Sequence, residues 1–149
     1  MREAGGGEND IVRGALMSHL SVVARIPMRM GRTVGSNYRD LRVWETAMSL
    51  ALEVYRITES FPHTERYGLT SQLRRAAVAV PSNIAEGHAR STRGEYKNSL
   101  SVARGSVIEV EVQLTLAERL GYVQSDVLAQ ALDYCDAVSR MITNLKRAL

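Results

Sequence analysis

Arg93, Lys97 and Arg104 recur at steps that set them on one helical stripe through Ser101, and Arg90 stands just ahead of them. Spaced cations of this kind suit phosphate binding, because each neutralised phosphate releases condensed counterions. The same four residues serve equally as a solvated helix face with subunit-interface ion pairs to Glu109, Glu111 or Glu118, and both readings stand. Arg140, Lys146 and Arg147 form a second cationic candidate near the C-terminus. Another polar group, Arg75, Ser82, Asn83 and Glu86, lies in the stretch "RRAAVAVPSNIAEGHAR" around Pro81. Catalysis there would make Glu86 an acid or base. A structural role is simpler: a proline inside a helix frees the carbonyl four residues back, here that of Ala77, and short polar groups nearby can satisfy exposed backbone.

Other chemistries are poorly supplied. The three histidines, His19, His63 and His88, are scattered, and no Glu-x-x-His pair of the kind used by di-iron bundles is present. No G-x-x-x-x-G-K-[ST] loop offers a phosphate cradle. Cys135, the single cysteine, falls on an apolar stripe and reads as a small core residue rather than a nucleophile. No cofactor, metal site or catalytic residue is therefore expected. One cysteine allows no internal disulfide, which suits a reducing compartment, and no apolar run approaches the roughly 20 residues that cross a bilayer. A cytoplasmic protein with no membrane association is expected.

The elements that must position these residues are helices. Residues 1–37 are Gly-rich and weakly periodic, with a faint helical pattern between Ile11 and Ile26. They read as a flexible leader, or as an over-extended start with Met17, Met28 or Met30 as the true one. From Asp40 to about Ser60 two apolar stripes run together, one through Leu41, Trp44, Met48 and Tyr55, the other through Val43, Ala47, Leu50, Val54 and Ile57. Pro62 ends this helix and Phe61 anchors the turn. Leu69, Leu73, Ala76, Val80 and Ile84 restart the spacing without losing phase at Pro81, which predicts one kinked but continuous helix. Thr92 with Glu95 forms a capping box for a third helix that steps from Tyr96 to Ala117 and stops at Gly121. Ser125 is expected to cap a fourth helix running from Leu128 to Leu149. Four helices with short connections predict an all-α, up-down-up-down four-helix bundle over residues 38–149, its second helix kinked at a proline.

The formal charge of +3 conceals a dipole along the chain. Residues 66–104 carry seven cations against two carboxylates, and residues 109–136 carry six carboxylates against one arginine. Such opposed segments suit an anionic partner on one surface or complementary faces of a self-assembling subunit.

The segments "YRDLRVWETA", "VYRITESFP", "ERYGLTSQLRRAAVAVPSNIAEG", "EYKNSL" and "ARGSVIEVEVQL", in that order across residues 38–149, resemble the four-helix-bundle family of 23S rRNA intervening-sequence proteins. The resemblance implies a bacterial protein and a ring-shaped homopentamer. It also implies kinship with the accessory proteins of diversity-generating retroelements, which bind nucleic acid and a reverse transcriptase. RNA or DNA, a reverse transcriptase and the chain itself thus stand as implied partners, whereas no settled biochemical activity is implied.

One enzymatic alternative comes from the HEPN class of helical RNases, which use an Arg and a His at the spacing of Arg56 and His63. Here Pro62 directly precedes His63, and the pair closes the first helix rather than lying near the last. The expectation is a non-enzymatic protein, either a nucleic-acid-binding ring or a protein-facing scaffold.

Overall fold

The computed structural model describes residues 37–149. The leader expected at 1–37, its last residue apart, and the faint helical pattern from Ile11 to Ile26 lie outside the described residues.

A 3-10 turn at Tyr38–Asp40 leads into α1, Arg42–Thr58. Val43, Ala47, Leu50, Val54 and Ile57, at alternating steps of four and three, bury one stripe of α1 in the core. Its second apolar stripe is less covered: Trp44 is half-buried, with Tyr38 edge-on to it at 5.3 Å, and Tyr55 is exposed. Phe61 is buried beyond the end of α1 and meets Tyr122 at 5.5 Å between ring centroids, which ties this turn to the opposite helical connection.

A second 3-10 turn, His63–Glu65, precedes α2, Leu69–His88. Gly68 at the N-cap has no side chain to offer, and the Glu65 carboxylate accepts from the Leu69 N–H at 2.9 Å instead. A carboxylate there also complements the positive end of the helix. The helix runs unbroken past Pro81, with Leu69, Leu73, Ala76, Ala77, Val80 and Ile84 all buried, so the unshifted apolar phase indicated continuity correctly. Ser82 and Asn83 donate back to the carbonyls of Val78 and Ala79 at 2.8 and 2.7 Å. Pro81→Ala restores the N–H that Ala77 lacks as a partner and removes the ring from the carbonyl it crowds. The variant is expected to unfold at the same denaturant concentration as the parent or a higher one; a loss of several kcal/mol would mean that packing requires the proline.

Thr92 caps α3, Arg93–Arg119: its hydroxyl accepts from the Glu95 N–H at 3.2 Å and donates to the Glu95 carboxylate at 2.7 Å. At the far end Gly121 takes φ +82°, where only glycine is unstrained. Tyr122 N–H then reaches Ala117 O and Gly121 N–H reaches Glu118 O, both at 2.9 Å, which is a Schellman closure. The final helix, α4, spans Ser125–Ala148. Ser125 does not cap it, contrary to expectation. Gln124 holds the N-cap position, and the Ser125 hydroxyl donates 3.0 Å across to Glu118 at the end of α3.

Consecutive helices pack on one another and α4 closes back on α1, while α1 and α3, like α2 and α4, lie diagonally apart. The core is Leu, Val, Ile and Ala, with Ala47, Ala77, Ala103, Ala117 and Ala131 fully inaccessible. Small residues let the α2–α3 pair approach closely, as at Gly87. A Cβ at Gly87 would lie 2.8 Å from both Ser99 Cβ and Tyr96 Cδ2.

Candidate nucleic-acid interface

The cationic stripe of α3 is assembled from two helices. Ser101 donates to the carbonyl of Lys97 at 2.9 Å, and Lys146 from α4 donates to the Ser101 hydroxyl at 2.6 Å. Lys146 therefore joins the row formed by Lys97 and Arg104. Arg93 at the start of α3 donates 3.4 Å to the backbone oxygen of Leu149, just past the end of α4, so the row is tied to the α4 side at its start and at Ser101. The two candidates that the sequence kept separate thus share one member at a common surface, while no hydrogen bond ties Arg140 or Arg147 to it. Arg90 is different: it pairs with Glu86 one turn back, so part of its charge is spent.

The polar group around Pro81 does not converge on a ligand-sized point. Ser82 and Asn83 bond their own helix, Glu86 is taken by Arg90, and Arg75 is exposed elsewhere on α2. Asn83 and Glu86 do not share a partner. Arg56 is held by both carboxylate oxygens of Glu53, one of them at 2.9 Å, and His63 is exposed in its 3-10 turn.

A second cationic surface was missed in the sequence. Arg66, Arg74 and Arg75 line a groove of about 610 Å3 between α1 and the first half of α2, with Tyr55, Tyr67 and Ser71. Arg74 lies 4.6 Å over the Tyr55 ring and donates to Thr58 Oγ1 at 2.8 Å; Arg66 lies 5.6 Å over the ring of Tyr67. Among the described residues the ion pairs are Arg56–Glu53 and Arg90–Glu86, so these three guanidiniums have no carboxylate partner. The available signal was spacing: Tyr67, Ser71, Arg74 and Val78 follow one another at helical steps. Next to this groove lies an apolar one of about 430 Å3, lined by Trp44, Leu52, Tyr55, Val78 and Pro81. On its outer face α3 leaves Val102, Ile108, Val112 and Leu116 about half exposed or more, as is Leu120 just past its end.

Cys135 is fully buried, as its apolar register implied. Burial, with Glu111 and Asp136 nearby, pushes its thiol up from 9.0 to about 12. In the unfolded chain the thiol ionises near its ordinary value, so between pH 9 and 12 the unfolded form binds fewer protons and stability falls as pH rises. The slope reaches at most ~1.4 kcal/mol per pH unit. Denaturant midpoints at pH 8 and pH 10 are expected to drop more for the parent than for Cys135→Ala. An equal drop would remove the thiol as the cause. Glu111 itself is shifted upward by burial and by Asp136 beside it.

No group of three or more His, Cys, Asp or Glu suited to a metal ion occurs among the described residues, and no helix there is long and apolar enough to cross a membrane. The fold and its surfaces thus define a small antiparallel four-helix bundle with cationic rows and uncovered apolar faces. Residues 39–144, most of the chain, match the family of the 23S rRNA-intervening sequence protein, and the chain belongs to that family. A crystal structure from Bacteroides thetaiotaomicron, described as a protein with unknown function from the S23 ribosomal protein family, is similar with a TM-score of 0.63 at 17% identity. The alignment covers 70% of this chain and 97% of that one, and the likeness concerns the fold. A comparison with curated proteins gives no match.

Proposed function

We propose that the chain is a non-enzymatic, self-assembling helical bundle that holds RNA or DNA by its phosphates along the α3–α4 cationic row. The observation that carries this reading is the Lys146–Ser101 bond, which adds an α4 cation to the row of Arg93, Lys97 and Arg104. Arg93 and Arg104 are eleven residues apart, about 16 Å along a helix, a length over which duplex DNA carries about ten phosphates. Cations on two packed helices hold their spacing without ordering a loop, so the row costs little entropy when it binds. Arg90 contributes less, because it must share its charge with Glu86.

Self-assembly rests on the uncovered apolar surfaces. The α1–α2 groove and the outer stripe of α3 are different surfaces of the bundle, so a contact between them is head-to-tail. Head-to-tail contacts close into rings when the rotation allows, which fits a homopentamer. Opposed charge in residues 66–104 and 109–136 orients such a contact. A cytoplasmic location accords with the lone buried thiol.

The absence of enzymatic activity is part of the proposal: Arg56 is occupied by Glu53, and Cys135 is buried with a raised thiol. Incubating the protein with labelled RNA is expected to give a retarded complex containing intact RNA. Cleavage would favour the RNase alternative at Arg56 and His63, and no retention of RNA or DNA at low salt would favour a protein-facing scaffold.

A further inference from the structure

The groove of Arg66, Arg74 and Arg75 is chemically unlike the α3–α4 row. The row is lysine and arginine along two helices; the groove sets three guanidiniums against two tyrosine rings. Tyr67 is 88% exposed, more than any other large apolar or aromatic side chain among the described residues. An aromatic ring held that far into water is costly to keep uncovered, and it presents a face on which a flat group can stack. Arg66 and Arg74 each hold a planar cation over one face of a tyrosine ring, Tyr67 and Tyr55 respectively. Thr58 fixes Arg74 through its Nε, which leaves the terminal nitrogens free to donate. Ser71 adds a hydroxyl in the first turn of α2, where the helix dipole favours an anion.

We propose that this groove binds single-stranded nucleic acid, with a base stacked on the exposed ring of Tyr67 and the adjoining phosphates held by Arg66, Arg74 and Arg75. This deepens the nucleic-acid reading above and rests on it. The α3–α4 row meets only phosphates, so it accepts a duplex and a single strand alike. Stacking in the groove needs exposed base faces, which a duplex hides. The protein therefore prefers a single strand, with little preference among bases, since every base has a face to stack.

The test is fluorescence anisotropy with a labelled 20-nucleotide single strand and the corresponding duplex, using the full chain and the variants Tyr67→Ala, Tyr67→Trp and Arg75→Ala. Both side chains are exposed, so these changes leave the fold intact, which circular dichroism checks. Tyr67→Ala is expected to weaken single-strand binding roughly 5- to 150-fold, the value of one stacked base, while duplex binding stays unchanged. Tyr67→Trp is expected to restore single-strand affinity, and Arg75→Ala to weaken it with a smaller salt dependence. Equal affinity of the parent for strand and duplex, or equal loss of both in Tyr67→Ala, would overturn the proposal while leaving the phosphate-row reading in place. A fall in assembly mass in Tyr67→Ala or Arg75→Ala with no change in single-strand affinity would overturn it in favour of a contact between copies. Failure of the parent to bind either probe would remove the broader reading as well.

Discussion

Val112→Glu combined with Leu116→Glu is expected to reduce the assembly to single chains without loss of helix content. Both side chains stand on the outer face of α3, with 62% and 47% of their surface exposed in the single chain. Glutamate is a good helix former and remains solvated in the monomer, so the bundle itself has no reason to unfold. In a contact between copies the same carboxylates would be buried without partners, and breaking the balance of a buried site in this way costs several kcal/mol. Each 1.4 kcal/mol is a tenfold change in the dissociation constant, so micromolar association is lost outright. Light scattering reads the result directly. A parent that is already monomeric at micromolar concentration would contradict self-assembly, and an unchanged mass in the double variant would move the contact off this face.

Gly87→Ala is expected to destabilise the bundle by about 1–3 kcal/mol, although alanine is the better helix former. The reason is steric: the new methyl would stand 2.8 Å from Ser99 Cβ and Tyr96 Cδ2, on the neighbouring helix. For a domain of this size that corresponds to a fall in Tm of roughly 4 °C per kcal/mol. Gly105 supplies the control, because nothing lies within 4 Å of a Cβ there. Gly105→Ala is expected to stabilise by about 0.4–1 kcal/mol through the unfolded state and helix propensity. If both variants behaved alike, the close approach of α2 and α3 at Gly87 would not be a packing constraint.

Gly87 also shows where sequence reasoning reached its limit. Read locally, a glycine near the end of an apolar helix is a loosening before the next cap. In the fold it lies inside α2, buried, where α3 leaves no room for a side chain. Periodicity carried the rest of the architecture well: the phase of Val80 and Ile84 across Pro81 and the Thr92–Glu95 cap both report on a single element, where local rules suffice. Ser125 misled because a hydroxyl before an apolar run suits an N-cap, whereas Glu118 on the previous helix captured it. The cationic surfaces divided in the same way. Lys97, Ser101 and Arg104 lie on one helix and were legible, but Lys146 is 45 residues away from Ser101 and nothing in its own surroundings signals that contact. Arg66 and Arg74 escaped notice because their meaning depends on the rings of Tyr67 and Tyr55, and Tyr55 belongs to a different helix.

The central claim, that phosphates are held along the α3–α4 row, is tested most directly by the salt dependence of duplex binding in the parent and in Arg93→Ala with Lys97→Ala. Duplex removes any contribution from base stacking, and the slope of log K against log salt counts the phosphates neutralised. The double variant is expected to keep its helix content and assembly mass, to bind more weakly, and to lose about two ion equivalents from the slope. An unchanged slope and affinity in a folded, fully assembled double variant would contradict the account and place the phosphate contacts away from Arg93 and Lys97.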